Sequence, residues 1–369
     1  MSLILESTQD GRRRFAAAHA VLEQATRDRA FPGAAYGILF NGEVVALDAT
    51  GRFTYDSGSK PVTPSTVFDL ASVTKVVATT ELAMRLFDRG ILSLDARLGD
   101  ILPEFFADAA PESGRRRVTI RSLLAHSSGL PGYVRLFEQN RSPAAMLDAL
   151  MRVPLEVPPE THSEYSDIGF MLLGKALEVL SGKSLAQSFQ SEIAAPLQLE
   201  TARFNPPAEW RDRIPPTEND TAFRHRIIQG EVQDENCFAL GGVAGHAGLF
   251  SNALDLLRFA ACILDEGRSS NGEQLFQPET VRLFATRQSQ PEGTTRALGW
   301  DTPSVPSSSG ICFSPNSIGH LGYAGTSLWI DPERRLAVAL LTNRTWPDRA
   351  SNAIRAVRPA FHDAIAAGL

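Results

Sequence analysis

The chain has 369 residues, 43% of them hydrophobic and 21% charged, and 36 Lys and Arg against 42 Asp and Glu give a formal net charge of −6. That balance describes a globular protein with ample material for a core and excludes a disordered or fibrous chain. The basic residues are scattered, and the clusters Arg12 to Arg14 and Arg115 to Arg117 read as solvated faces, so no nucleic-acid partner is expected.

Cysteines 237, 262 and 312 are odd in number and lack metal-ligand spacing, which predicts free thiols and a reducing compartment. The first thirty residues contain no apolar stretch of secretory type, so a cytoplasmic location is expected. They read instead as an amphipathic helix with Phe15, Ala18, Val21, Leu22 and Ala25 on one face. No apolar run reaches membrane-spanning length.

Residues 33–51 read as two strands joined at Asn41-Gly42, a strong hairpin signal. Helical periodicity follows over 72–90, 119–126, 143–152, 167–181, 185–194 and 253–266, while 202–248 shows little periodicity and reads as long loops. Residues 326–344 repeat the hairpin pattern, and a terminal helix covers about 348–367. Strands at both ends around a helical middle predict an α+β fold, with one antiparallel β-sheet built from N- and C-terminal strands, flanked by helices. The expected organisation is a single unit over 1–369. Its α/β part covers about 1–75 and 295–369, and an inserted, mainly helical part covers about 76–294.

The sharpest chemical feature is Asp69-Leu70-Ala71-Ser72-Val73-Thr74-Lys75, running into a helical stretch. Residues three apart share a helix face, so Ser72 and Lys75 are expected side by side at a helix N-terminus. Serine is a weak nucleophile without a neighbouring base, and a desolvated lysine can serve as one. A second candidate is Tyr165-Ser166-Asp167 at the start of the 167–181 helix, where Asp167 doubles as a possible N-cap. A third is Gly319-His320-Leu321-Gly322-Tyr323, just before the C-terminal hairpin, where Gly322 would let the strand approach a ligand closely.

In this order the three segments resemble the signatures of the serine β-lactamase and penicillin-binding-protein superfamily, which includes class C β-lactamases, DD-peptidases and related esterases. The resemblance spans about residues 28 to 345. It extends to Leu123-Leu124-Ala125-His126-Ser127-Ser128-Gly129-Leu130, in which His126 is expected to be buried structure, and to Gly241 to Ser251. It implies Ser72 as nucleophile, Lys75 and Tyr165 as the groups that manage its proton, and His320 as a helper. It also implies an oxyanion hole from the backbone N–H groups of Ser72 and Tyr323. Asp167, Leu321, Gly322, Tyr133 and His246 become candidate substrate contacts. No metal or organic cofactor is implied, and Asp234, Glu235 and Asn236 are expected to be loop hydrogen-bonders.

Two departures from the family pattern matter. Asp167 stands where asparagine is usual and would add negative charge beside Lys75, which shifts weight to Tyr165 as base. Leu321 replaces a hydroxyl that helps bind the substrate carboxylate, and a neutral His320 lacks the fixed charge of lysine. A lost charge-assisted hydrogen bond costs about 1.5–3 kcal/mol, so a small neutral ester is the expected substrate. A β-lactam or a D-amino-acid peptide is the alternative, and a penicillin sensor that acylates without turnover is the non-enzymatic one.

Overall fold

A computed structural model describes residues 8–107, 110, 113–140 and 142–369. The first seven residues of the expected N-terminal helix lie outside them. The rest of that segment forms a short helix, Thr8–Arg14, and then α1 (Ala16–Arg27). Phe15, Ala18, Leu22 and Ala25 are buried and Val21 is half-buried, as the periodicity requires.

The sheet has five antiparallel strands. They are β1 (Gly33–Phe40), β2 (Glu43–Gly51), β3 (Ile318–Leu321), β4 (Ser327–Asp331) and β5 (Leu336–Thr342), in the order β2-β1-β5-β4-β3. The β1–β2 turn uses Asn41 and Gly42 with φ of 52° and 86°, the left-handed pair that the expected hairpin needs. β5 is apolar on both faces: Leu336, Val338 and Leu340 pack toward one layer, and Ala337, Ala339 and Leu341 toward the other. The two ends of the chain thus meet in one sheet, with β5 hydrogen-bonded directly to β1.

One face of the sheet is covered by α1 and by α5 (Ile354–Ile365); the other by α4 (Ala253–Leu264) and the helical middle. Gly37 in β1 permits the close approach of α4, since a Cβ there would lie 2.7 Å from Leu257 Cδ1. The helix Pro143–Arg152 and α3 (Asp167–Ser181) match their expected limits. Each starts at a serine cap, Ser142 or Ser166, and α3 ends at Gly182 in the left-handed conformation. All three cysteines are buried and free, and among the described residues no helix is long and apolar enough to cross a membrane.

Two expectations need correction. The 72–90 stretch is not one regular helix. It starts with a tight 3₁₀ turn (Ala71–Val73), widens into a π-helical turn (Lys75–Thr79), and only then becomes α2 (Thr80–Asp88). Likewise, 202–248 carries paired structure. Arg203–Phe204 and Phe68–Asp69 flank Leu249–Ser251 in a small sheet that tethers the segment before Ser72, and Glu218–Asp220 pairs with Arg226–Ile228. These strands are two or three residues long, too short to show a period.

Glu81 in α2 is fully buried, and no described protein group hydrogen-bonds either carboxyl oxygen. Burial, with Asp88 adding to it, pushes its pKa well above the ordinary range. Because the folded value exceeds the unfolded one, the contribution to stability is intact below the unfolded pKa and is lost as pH rises toward the folded one. Glu81→Met should therefore stabilise the protein by about 1–3 kcal/mol at pH 8, with a smaller gain near pH 4.5. Thermal melts at the two pH values check this.

Candidate active site

The turn before Ser72 is held in a strained form. Ala71 has φ of 47°, and Asp69 fixes it by accepting the Ala71 N–H and the Gln233 N–H, both at 2.8 Å. Burial raises the Asp69 carboxyl to about 6 against the pull of those two N–H groups. The turn is also tied to the far end of the chain, because Thr326 Oγ1 donates to the Leu70 carbonyl at 2.9 Å.

Beyond that turn the ammonium of Lys75 is fully buried and donates to three acceptors: Ser72 Oγ at 3.1 Å, Asp167 Oδ1 at 2.6 Å and the His246 carbonyl at 3.1 Å. Burial pulls its pKa below the usual lysine range, and Asp167 opposes that pull. Ser166, not Asp167, caps α3, accepting from Gly169 N at 2.9 Å. The Asp167 carboxylate is thereby left free to reach Lys75.

Tyr165 lines the same cleft as Ser72 and Asp167, both of which act on its phenol, and its ring lies 4.8 Å from Lys75 Nζ. Burial, reinforced by Asp167, raises the phenol well above its usual value. His126 is buried, as expected of it. Its ring packs 4.8 Å from Tyr165, and its Nδ1 accepts the Ser166 N–H at 3.0 Å, which fixes the start of α3.

On the opposite wall, His320 Nδ1 lies 2.8 Å from the Leu321 carbonyl. A carbonyl only accepts, so Nδ1 carries the proton and Nε2, which has no partner among the described residues, is an acceptor. Burial and then Lys75 keep this imidazole far below the usual histidine range, hence neutral.

Ser72, Tyr165, Asp167, His320, Leu321, Gly322, Tyr323 and Tyr133 all line one cleft of about 1160 Å³. Gly322 has a packing part as well as a place on the cleft wall. A Cβ there would sit 1.9 Å from Thr326 Oγ1 and 2.5 Å from the Leu70 carbonyl, so the glycine lets the strand edge pack against the Ser72 turn. His246 does not face substrate. It is 1% exposed and paired with Asp234 at 2.8 Å, and what it offers the site is its carbonyl, to Lys75. Burial would raise the Asp234 carboxyl, but His246 holds it at about 2.

Asp234 also caps the short helix Glu235–Ala239, Glu235 pairs with Arg349 at 2.6 Å, and Asn236 binds the backbone of Val134 and Phe137. They are hydrogen-bonders, as the sequence suggested.

Several cleft residues were not foreseen. Arg344, Arg355 and Arg358 line the Tyr323 end, and Arg296 lies beside Tyr165. Arg344 donates to the carbonyls of Tyr323 and Ser351, and Arg358 to those of Gly322 and Thr326; both are nearly buried. Burial, then Arg344 and Arg355, bring Arg358 down to about 9. One signal for it was available. Arg358 interrupts the buried stripe of Ile354, Phe361 and Ile365 on α5, where a charge needs a reason. Arg296 and Arg344 sit in loops and carry no such mark.

The family model for Beta-lactamase matches residues 18–360. The chain belongs to this family. The family's members are serine hydrolases. Among curated relatives, an N-acetylmuramyl-L-alanine amidase of Bacillus subtilis (strain 168) is 33% identical over 348 residues, covering 85% of this chain and 77% of that protein. An Escherichia coli (strain K12) protein, provisionally named a D-alanyl-D-alanine carboxypeptidase, is 32% identical over 350 residues, covering 86% and 79%. In fold, this member of the family is similar to EstCE1, a hydrolase with promiscuous acyltransferase activity. The TM-score is 0.76 at 23% identity, with 98% of this chain and 99% of that one covered.

Proposed function

We propose that the protein is a serine acyl hydrolase working through a covalent acyl-Ser72 intermediate. The observation that carries this is the contact set of Ser72, Lys75, Tyr165 and Asp167 on the wall of a large cleft. Ser72 Oγ bonds to the acyl carbon while its proton passes to Tyr165 in its phenolate form, within the field of Lys75. The bond to the leaving group then breaks, and Tyr165 returns the proton to that group. In the second half, water attacks the ester carbon, loses its proton to Tyr165, and Ser72 is released reprotonated. Neutral His320 Nε2 is a further acceptor for that water. Backbone N–H groups of Ser72 and Tyr323 would hold the oxyanion.

The substrate we favour is an acyl compound with a carboxylate near the scissile bond, such as a D-amino-acid peptide or a β-lactam. This departs from the neutral ester that Leu321 suggests. Leu321 does remove a hydroxyl, but the cleft is not short of cations at that end. Among the described residues no carboxylate pairs with Arg344, Arg355 or Arg358, so their charge is available to an anion. The amidase and carboxypeptidase names of the relatives point the same way. Leu321 on the cleft wall still favours the neutral ester as second reading.

Steady-state rates on diacetyl-Lys-D-Ala-D-Ala, nitrocefin and p-nitrophenyl butyrate, with mass spectrometry of the quenched enzyme, separate the two. An adduct on Ser72 is expected, with kcat/KM higher for a carboxylate substrate. Arg355→Gln should raise KM for that substrate about tenfold and leave the ester untouched. A preference for the butyrate that Arg355→Gln does not alter would return the neutral-ester reading.

A further inference from the structure

Resting on the acyl-serine reading, the base must be a tyrosine whose surroundings resist its ionisation. Burial and Asp167 both work against a tyrosinate. The charged and titratable groups facing Tyr165 come from every side. From the nucleophile segment, Lys75 lies 4.8 Å from the ring, but its charge is offset by Asp167 at 2.6 Å and, from behind, by Asp234. His126 at 4.8 Å and His320 at 5.8 Å are both kept far below the usual histidine range by burial, so they supply no charge. Among the described residues, that leaves the guanidinium of Arg296, with Cζ 5.5 Å from the ring centroid.

The position of Arg296 is built by several contacts. Its N–H donates to Thr294 Oγ1, its carbonyl accepts from Gln288, and it bridges to Asp301 across a short turn. Thr294 Oγ1 in turn donates to Ser163 Oγ at 3.1 Å, docking this turn on the segment that leads into Tyr165. Asp301 takes part of the charge, with Nη1 3.5 Å from Oδ1, while the guanidinium stays over the phenol and lines the cleft.

We propose that Arg296 is a positioning residue for catalysis: its fixed charge over the Tyr165 ring stabilises the tyrosinate that accepts the Ser72 proton. It takes the electrostatic part left open by the neutral His320. A lysine ammonium paired as Lys75 is cannot do this alone, because its charge is already matched by Asp167 at 2.6 Å.

The test is the pH dependence of kcat/KM on p-nitrophenyl butyrate for the full chain and for Arg296→Gln, Arg296→Lys and Asp301→Asn, with Ser72→Ala as blank. A base with a higher pKa becomes active at higher pH. Arg296→Gln should therefore move the acidic limb up by roughly one unit, which is about a tenfold loss at pH values below that limb. Arg296→Lys should move it less. Asp301→Asn frees the guanidinium and should move it down, and it keeps the proposal testable should Arg296→Gln fold poorly. An acidic limb that stays in place in these variants overturns the proposal, and so does a change confined to KM. Turnover surviving in Ser72→Ala would instead remove the acyl-serine reading, and the proposal with it.

Discussion

Ser72→Ala should lower kcat/KM at least about a thousandfold on any substrate the protein turns over, because no other nucleophile shares the contacts. Ser72 Oγ accepts from Lys75 at 3.1 Å, and Tyr165 lines the same cleft beside it. Residual rate enhancement from substrate binding and the backbone N–H groups is expected to persist, since those do not depend on the hydroxyl. The fold should hardly notice. Ser72 is half-buried in a turn anchored by Asp69 and Thr326, not by its own side chain, so stability should change by about 1 kcal/mol or less. Steady-state rates and a thermal melt, measured together, check both halves. More than a tenth of the parent rate would mean that another residue carries the chemistry.

Lys75→Met is expected to cost about two to four orders of magnitude in turnover and, unlike Ser72→Ala, to destabilise the protein. Its ammonium is the common partner of Ser72, Asp167 and the His246 carbonyl. Without it, Asp167 faces Tyr165 uncompensated and the phenol becomes harder to ionise. Removing one member of a buried ion pair costs about 3–5 kcal/mol, part of it offset here because a desolvated ammonium is removed as well. The double variant Lys75→Met with Asp167→Asn should recover stability but not activity, which separates the two effects in one thermodynamic cycle. Equal activity in Lys75→Met and the parent would leave Tyr165 and Arg296 as the whole proton-transfer apparatus.

The legible parts of the fold were those with strong local signals. Asn41-Gly42 announces its hairpin because only left-handed residues close a two-residue turn, and α3 is bracketed by Ser166 and Gly182. The strands Phe68–Asp69, Arg203–Phe204 and Leu249–Ser251 were illegible, because two or three residues show no alternation and their pairing partners are far apart in the chain. The π-helical turn at Lys75–Thr79 was illegible for another reason: it inserts one extra residue per turn without changing which residues are apolar.

The same division runs through the candidate site. The sequence by itself determined the family and the α+β sheet from both chain ends. It also singled out Ser72, Lys75 and Tyr165, because those features depend on residue types at short, ordered spacings. Only the tertiary structure decided the charges around them. It turned His246 inward onto Asp234, gave Asp167 to Lys75 and not to the helix cap, and collected Arg296, Arg344 and Arg358 into one cleft. The physical reason is that an electric field adds over distance in space, while spacing along the chain records only neighbours in sequence.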